Sequence, residues 1–197
     1  MSALPIPHLS LEAYLEIERA AVHRSEYRDG LVVSMAGGTS LHDLIIMNAG
    51  AALHSASRDL LCRVHGGNLQ VYIASFNVAT YPDVMVICGP TQFTRRRNDL
   101  VENPSLIIEV LSPSTESYDR GRKFEYYRAL PSLREYILIS QDQPQVERFS
   151  RQADDSWRIN VHRGLHGTLP LATIDAAIQL KDLYAKVEWP EEGTTPQ

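Results

Sequence analysis

Three features of the sequence predict an α/β fold in which a mixed β-sheet is flanked by helices. The run Ser25-Glu26-Tyr27-Arg28-Asp29-Gly30-Leu31-Val32-Val33-Ser34 sets Asp-Gly between extended segments, a strong signal for a two-residue hairpin. Leu106 to Leu111 is apolar on both faces, as a central strand is. A helical stretch and a further strand follow it, which is the pattern of a strand-helix-strand crossover. A chain of 197 residues buries about 70% of its unfolded surface without disulfides or metals. One domain is therefore expected over 1–197, with its core at about 20–187 and flexible ends at 1–9 and 190–197.

In chain order, Ser10 is placed to cap a helix in which Leu11, Tyr14 and Leu15 share a face, ending near Ala21. After the hairpin, Gly37-Gly38-Thr39-Ser40 breaks the chain and offers a second cap. Leu41 to about Ser57 then reads as a helix with small residues, Ala49 and Ala51, for close packing. Leu61 to Val64, Leu69 to Ala74 and Val84 to Cys88 read as strands. Past Leu111, a helix from about Tyr118 to Ala129 stops before Pro131, with Tyr126, Tyr127 and Leu130 as its buried face. Strands are expected at Glu135 to Ile139, Val146 to Phe149 and Trp157 to Val161, the last with one wet face, and a short helix at Leu180 to Ala185.

Apolar residues at 44% and charged residues at 22% are ordinary for a soluble protein. No run approaches the ~18 apolar residues of a membrane span, and the N-terminus lacks the pattern of a signal peptide, so a cytoplasmic protein is expected. Cys62 and Cys88 form no CxxC pair and lie in apolar surroundings, which predicts small core thiols in a reducing compartment. A net charge of -5 does not advertise a nucleic-acid binder, although Arg95-Arg96-Arg97 and Arg120-Gly121-Arg122-Lys123 concentrate positive charge locally.

The anomaly is Glu109, an acid inside Leu-Ile-Ile-Glu-Val-Leu. Burying its charge without a partner costs several kcal/mol, so something must neutralise it. If the strand after Asp83 lies alongside, both carboxylates can share one divalent cation through the oxygen ligands that Mg2+ prefers. Lys123, on the following helix, can then reach in to orient a water while the metal polarises a phosphodiester. The competing readings are an ion-paired Glu109, a turn-forming Asp83 after Pro82, and an exposed Asp119-Lys123 salt bridge at helical spacing. His42 is expected to be a packing histidine, and His162 and His166 surface residues with no third ligand.

Asp83 after a proline, Glu109-Val110-Leu111-Ser112-Pro113-Ser114-Thr115, Arg122-Lys123-Phe124-Glu125-Tyr126-Tyr127 and Glu135-Tyr136-Ile137 resemble the Uma family. That family is a bacterial branch of the restriction endonuclease-like PD-(D/E)XK nuclease superfamily. Glu26-Tyr27-Arg28-Asp29-Gly30 and His42 extend the likeness to roughly residues 20 to 185. The resemblance implies a restriction endonuclease-like mixed sheet flanked by helices, Mg2+ or Mn2+ as cofactor, and DNA as substrate. It implies Asp83 and Glu109 as metal ligands, the Val110 carbonyl as a backbone ligand, Lys123 as the catalytic lysine and Glu26 as a further ligand or water-positioning acid. The superfamily's usual lysine position, two residues after the glutamate, holds Leu111, and the family is known for a lysine displaced to the next helix. Cutting two strands takes two sites, which points to a homodimer. The alternative is an inactive nuclease-fold protein serving as a nucleic-acid-binding or assembly subunit.

Overall fold

The computed structural model describes residues 8–35, 37–94 and 97–189. Most of both expected flexible ends, and Arg95 and Arg96 of the arginine run, lie outside those residues. Helix α1, Leu11–Ala20, starts where the Ser10 side chain accepts the Ala13 amide and buries Leu11, Tyr14 and Leu15. Strands β1, Ser25–Arg28, and β2, Leu31–Ser34, are joined by Asp29 (φ 45°) and Gly30 (φ 90°), the two left-handed residues of a type I′ turn. Helix α2, Ser40–Ala56, is capped by the Thr39 hydroxyl.

The strands β3 (Cys62–Gly66), β4 (Gln70–Ile73), β5 (Val78–Thr80), β6 (Val84–Cys88), β7 (Leu100–Val101) and β8 (Leu106–Leu111) follow. After them come β9 (Glu135–Ser140), β10 (Gln145–Arg151), β11 (Trp157–Arg163), β12 (Thr168–Leu171) and β13 (Ala176–Gln179). A six-stranded sheet has the order β11-β10-β9-β8-β6-β3, with β8 and β9 parallel. A five-stranded sheet has the order β2-β1-β5-β4-β7, and β12-β13 is a separate hairpin. Strands β3 and β4 are neighbours in sequence yet belong to different sheets. The short strands β5, β7, β12 and β13 are not read from the sequence, because so few residues barely display a period and no Asp-Gly turn marks them as it marks β1 and β2.

Alternation along the central strands separates two cores. Leu106, Ile108 and Val110 pack with Ile45, Ala49 and Leu53 of α2 and with Leu169, Leu171 and Ile178 of the β12-β13 hairpin. Ile107 and Leu111 pack on the other face with Val71, Ile73 and Val78 of the smaller sheet and with Tyr126, Tyr127 and Leu130. Helix α1 lies on the smaller sheet through Leu11, Tyr14 and Leu15 against Tyr27 and Tyr72. The two pieces covering the central sheet share one local design. β4 runs into a 3-10 turn, Ala74–Phe76, ended by left-handed Asn77, and β12 into a 3-10 turn, Ala172–Ile174, ended by left-handed Asp175. Each left-handed residue opens the returning strand.

The crossover helix differs from expectation. It begins earlier, as α3 (Glu116–Tyr118), passes through a π-helical segment, Asp119–Lys123, and ends as α4 (Phe124–Tyr127). Helix α5, Leu180–Leu183, closes the order. β11 is an edge strand and is mostly exposed on both faces rather than one, because no element covers it beyond β10. Cys62 and Cys88, read from sequence as free core thiols, form a disulfide with Cα atoms 4.0 Å apart. The antiparallel register of β3 and β6 sets them directly opposite one another. Spacing alone does not reveal such a pair, and the compartment inferred from free thiols loses its support with it. Among the described residues, no helix is long and apolar enough to cross a membrane.

Candidate active site

In the β6-β8 ladder Val84 pairs with Ile108, so the next residues outward, Asp83 and Glu109, face each other. Both share parity with Met85 and Ile107 and lie on the same side of the sheet. Asp83 sits just before its strand, where its Oδ2 accepts the Val110 amide at 2.7 Å and so fixes the strand end. Glu109 lies inside its strand and is buried, and its Oε1 accepts the Tyr127 hydroxyl at 3.0 Å.

The π-helical segment turns Asp119 and Lys123 inward together, and both are buried. The Lys123 ammonium lies 2.8 Å from Glu109 Oε1, 3.6 Å from Asp119 Oδ1 and 3.8 Å from Glu26 Oε1. It also donates to the Tyr81 carbonyl at 3.3 Å. The Asp119-Lys123 pair read from helical spacing is thus present, but as part of a buried cluster rather than an exposed bridge. Glu26 joins from β1, its Oε1 accepting from the Thr80 hydroxyl. Its Oε2 accepts from Arg28 Nη2 at 2.7 Å and from the Tyr118 hydroxyl at 3.0 Å. His42, in the first turn of α2, reaches the sheet end from the opposite face. Its Nε2 lies 2.9 Å from the Val110 carbonyl oxygen and 3.6 Å from Asp83 Oδ2. A cavity of about 530 Å3 opens on the cluster, lined among others by Glu26, His42, Asp83, Glu109, Tyr118 and Lys123.

The electrostatics follow from counting. Four carboxylates, of Glu26, Asp83, Glu109 and Asp119, meet two permanent cations, Arg28 and Lys123, with the His42 imidazole beside Asp83 as a further basic group. Burial disfavours a charged Lys123, but Glu109, Glu26, Asp119 and Asp83 together outweigh it and hold the amine as an ammonium. Burial would also raise Glu26, yet Lys123, the Thr80 hydroxyl and Arg28 keep it below the usual carboxylate range. Asp83 and Glu109 are shifted upward, chiefly by burial. For Glu109 the neighbouring Asp83 and Asp119 charges add to the rise. These two acids hold the unbalanced charge.

The structure therefore brings Glu26, Asp83, Glu109, Val110 and Lys123 to one strand end. Thr80, Tyr118, Arg28 and Asp119 are members of the cluster that sequence reading did not assign to it. For Arg28 a signal existed, since Glu26 and Arg28 are two apart in a strand and share a face. Thr80 and Tyr118 reach Glu26 only through tertiary register, which no local pattern encodes. Among the described residues, no three of His, Cys, Asp and Glu are gathered as a metal ion's ligands would be. Arg97, the described member of the arginine run, pairs with Asp99.

Comparison with known proteins agrees with this picture of the fold. A family model described as "Uma2: Putative restriction endonuclease" matches residues 11–181. The uncharacterized protein slr1290 of Synechocystis sp. is 34% identical over 155 residues, 79% of this chain and 80% of the relative. The uncharacterized protein sll1609 of the same organism is 35% identical over 149 residues, 76% of this chain and 84% of the relative. The crystal structure of a putative nuclease belonging to DUF820 from Anabaena variabilis superposes with a TM-score of 0.72 at 18% identity. That superposition covers 90% of this chain and 98% of the other, and it shows the shared fold.

Proposed function

Because the chain belongs to the Uma2 family, described as "Putative restriction endonuclease", we propose that it is a metal-dependent DNA endonuclease working at the Asp83-Glu109-Lys123 cluster. The observation that carries this reading is that Asp83 and Glu109, both raised chiefly by burial, face one cavity where carboxylates outnumber the cations beside them. A divalent ion would offset this excess of negative charge, and the donor set suits Mg2+ or Mn2+: two carboxylates and the Val110 carbonyl, all hard oxygens. Such an ion, when bound, polarises the scissile phosphate and lowers the pKa of a coordinated water.

The chain's own groups do the rest. Asp83 and Glu109 would hold the ion, with Asp83 kept in place by the Val110 amide at 2.7 Å. Lys123, fixed as an ammonium, cannot accept a proton; it donates, orienting water and offsetting the negative charge that builds on the phosphorus centre. Glu26 has its oxygens engaged by Thr80, Arg28 and Tyr118, and it acts by positioning Lys123. Cutting both strands of a duplex would require two such chains, which favours a homodimer.

Purified protein with plasmid DNA in Mg2+ and then Mn2+ is expected to nick or linearise it, with EDTA and Asp83→Ala each abolishing the reaction. Lys123→Arg, which keeps the charge in the cluster, is expected to fold and to lose about 100-fold in rate. Cleavage that survives Asp83→Ala would sink the assignment. One observation favours a second reading, an inactive nuclease-fold binding subunit: the Glu109-Lys123 pair already satisfies itself at 2.8 Å. DNA binding without cleavage in either metal would support that alternative.

A further inference from the structure

A second cavity, of about 820 Å3, opens at the other end of the central sheet. Its walls carry Arg134, Arg148, Arg151, Arg158, Asn160 and His162. Register places most of them. Arg148 lies opposite Ile137 and Asn160, and Ser150 lies opposite Glu135 and Arg158, so these side chains share the face of Ile137 and Val146. The Asp83-Glu109 cluster is on the reverse face and toward the far end of β8. The two cavities have no lining residue in common.

The charges do not balance within it. Arg148 is paired with Glu135 at 2.8 Å, and Glu135 also accepts the Ala172 and Thr173 amides, so that acid is fully committed. Arg151 is paired with Asp155 at 3.4 Å and donates to the Arg128 and Leu130 carbonyls. Among the described residues, the guanidiniums of Arg134 and Arg158 make no ion pair and no side-chain hydrogen bond. Two unpaired guanidiniums thus stand over one concave surface, in a chain whose net charge is -5. Two buried polar atoms of the cavity wall, His162 Nε2 and Thr173 Oγ1, have no hydrogen-bond partner. Buried polar atoms are normally satisfied, so this concavity is suited to polar contents, ordered water or the polar groups of a ligand.

We propose that this cavity is a binding site for a phosphate-class anion carrying two or more negative charges. A dianion balances Arg134 and Arg158, and a guanidinium fork matches the tetrahedral oxygens of a phosphate through paired N–H donors. A monocarboxylate would leave one charge unmet. The volume also exceeds what a single phosphate fills, which suits a pyrophosphate, a nucleotide or consecutive phosphates of a single strand. His162 supplies an independent reporter. Burial and the nearby Arg148 hold its pKa below the ordinary value, and a bound anion would raise it.

The test is calorimetric titration of the full chain in low-salt buffer with EDTA, which keeps the carboxylate cluster free of metal-bridged phosphate. The probes are inorganic pyrophosphate, a nucleoside triphosphate and a short single-stranded oligodeoxynucleotide. Saturable binding of one probe per chain is expected, weakened about tenfold or more by Arg134→Ala combined with Arg158→Ala. Both arginines are exposed, so this variant is expected to fold. Asp83→Asn should leave the binding unchanged, and imidazole NMR should show the His162 pKa rising at saturation. Uptake of pyrophosphate or the triphosphate alone identifies a free phosphoanion as the ligand. Binding of the oligonucleotide that falls in the same arginine variant identifies a nucleic-acid backbone. No saturable heat with any probe, equal affinity in the double variant, or loss of binding in Asp83→Asn overturns the proposal. Cleavage enters none of these readouts, so the result stands apart from the nuclease reading.

Discussion

At Asp83 the stability of the fold and the metal-binding role proposed for its carboxylate pull against each other. Its carboxyl is raised above the ordinary carboxylate range, chiefly by burial. A carboxylate with a raised folded-state pKa contributes stability that is fully present only below its unfolded value of ~3.9 and is lost as pH rises through the folded value. Asp83→Asn removes that loss while keeping an oxygen for the Val110 amide. The variant is expected to be more stable than the natural chain at pH 8 in EDTA by about 1 kcal/mol, with the difference vanishing toward pH 3.5. Denaturant unfolding at the two pH values checks this, and the same variant should not cleave DNA. A variant less stable at pH 8 than at pH 3.5, relative to the natural chain, would mean that Asp83 is not under charge stress. This anomaly was legible in the sequence, because an acid inside an apolar strand, as at Glu109, declares that something must compensate it. The compensation was only half legible. Lys123 was found through its place after the strand, whereas the Thr80 and Tyr118 contacts to Glu26 depend on how β1, β5 and the crossover helix come together.

Among the elements, the crossover helix shows where pattern reading stops. Its apolar residues, Tyr126, Tyr127 and Leu130, are legible as a buried face. The widened turn at Asp119–Lys123 is not, since it is stabilised by contacts such as the Tyr136 hydroxyl on the Asp119 carbonyl at 2.9 Å. The paired 3-10 corners allow a cleaner test of local backbone chemistry. Asp175 is exposed and left-handed at φ 48°, a conformation that Asp tolerates and a β-branched residue does not. Asp175→Val is expected to lower stability by about 1 kcal/mol or more, and Asp175→Gly to change it by less than about 0.5 kcal/mol. Thermal or denaturant unfolding of the two variants decides it; equal losses would show that the Asp175 side chain, rather than its backbone angle, matters.

Across the whole molecule, the sheet flanked by helices and the central place of β8 could be read from the Asp29-Gly30 turn, the apolar run of β8 and the crossover pattern after it. The division of β3 and β4 between two sheets could not, nor could the Cys62-Cys88 disulfide that register creates. Closing a 26-residue interval, that bond is expected to contribute about 3 kcal/mol by restricting the unfolded chain. Guanidinium unfolding with and without reductant should show the loss as a lower midpoint; an unchanged midpoint would mean that the reduced β3-β6 pair holds by packing alone. A last consequence lies in the two corners that close over opposite faces of the central sheet. Ala74-Ser75-Phe76-Asn77 and Ala172-Thr173-Ile174-Asp175 are spare parts for one another as far as the main chain is concerned. What does not travel is the Asn77 amide, which holds the Tyr27 hydroxyl and Asp29. A transplanted corner would therefore bend the chain correctly on either side, yet on the side of the smaller sheet the first hairpin would keep only its main-chain ties to β5 and the corner and lose its side-chain clasp.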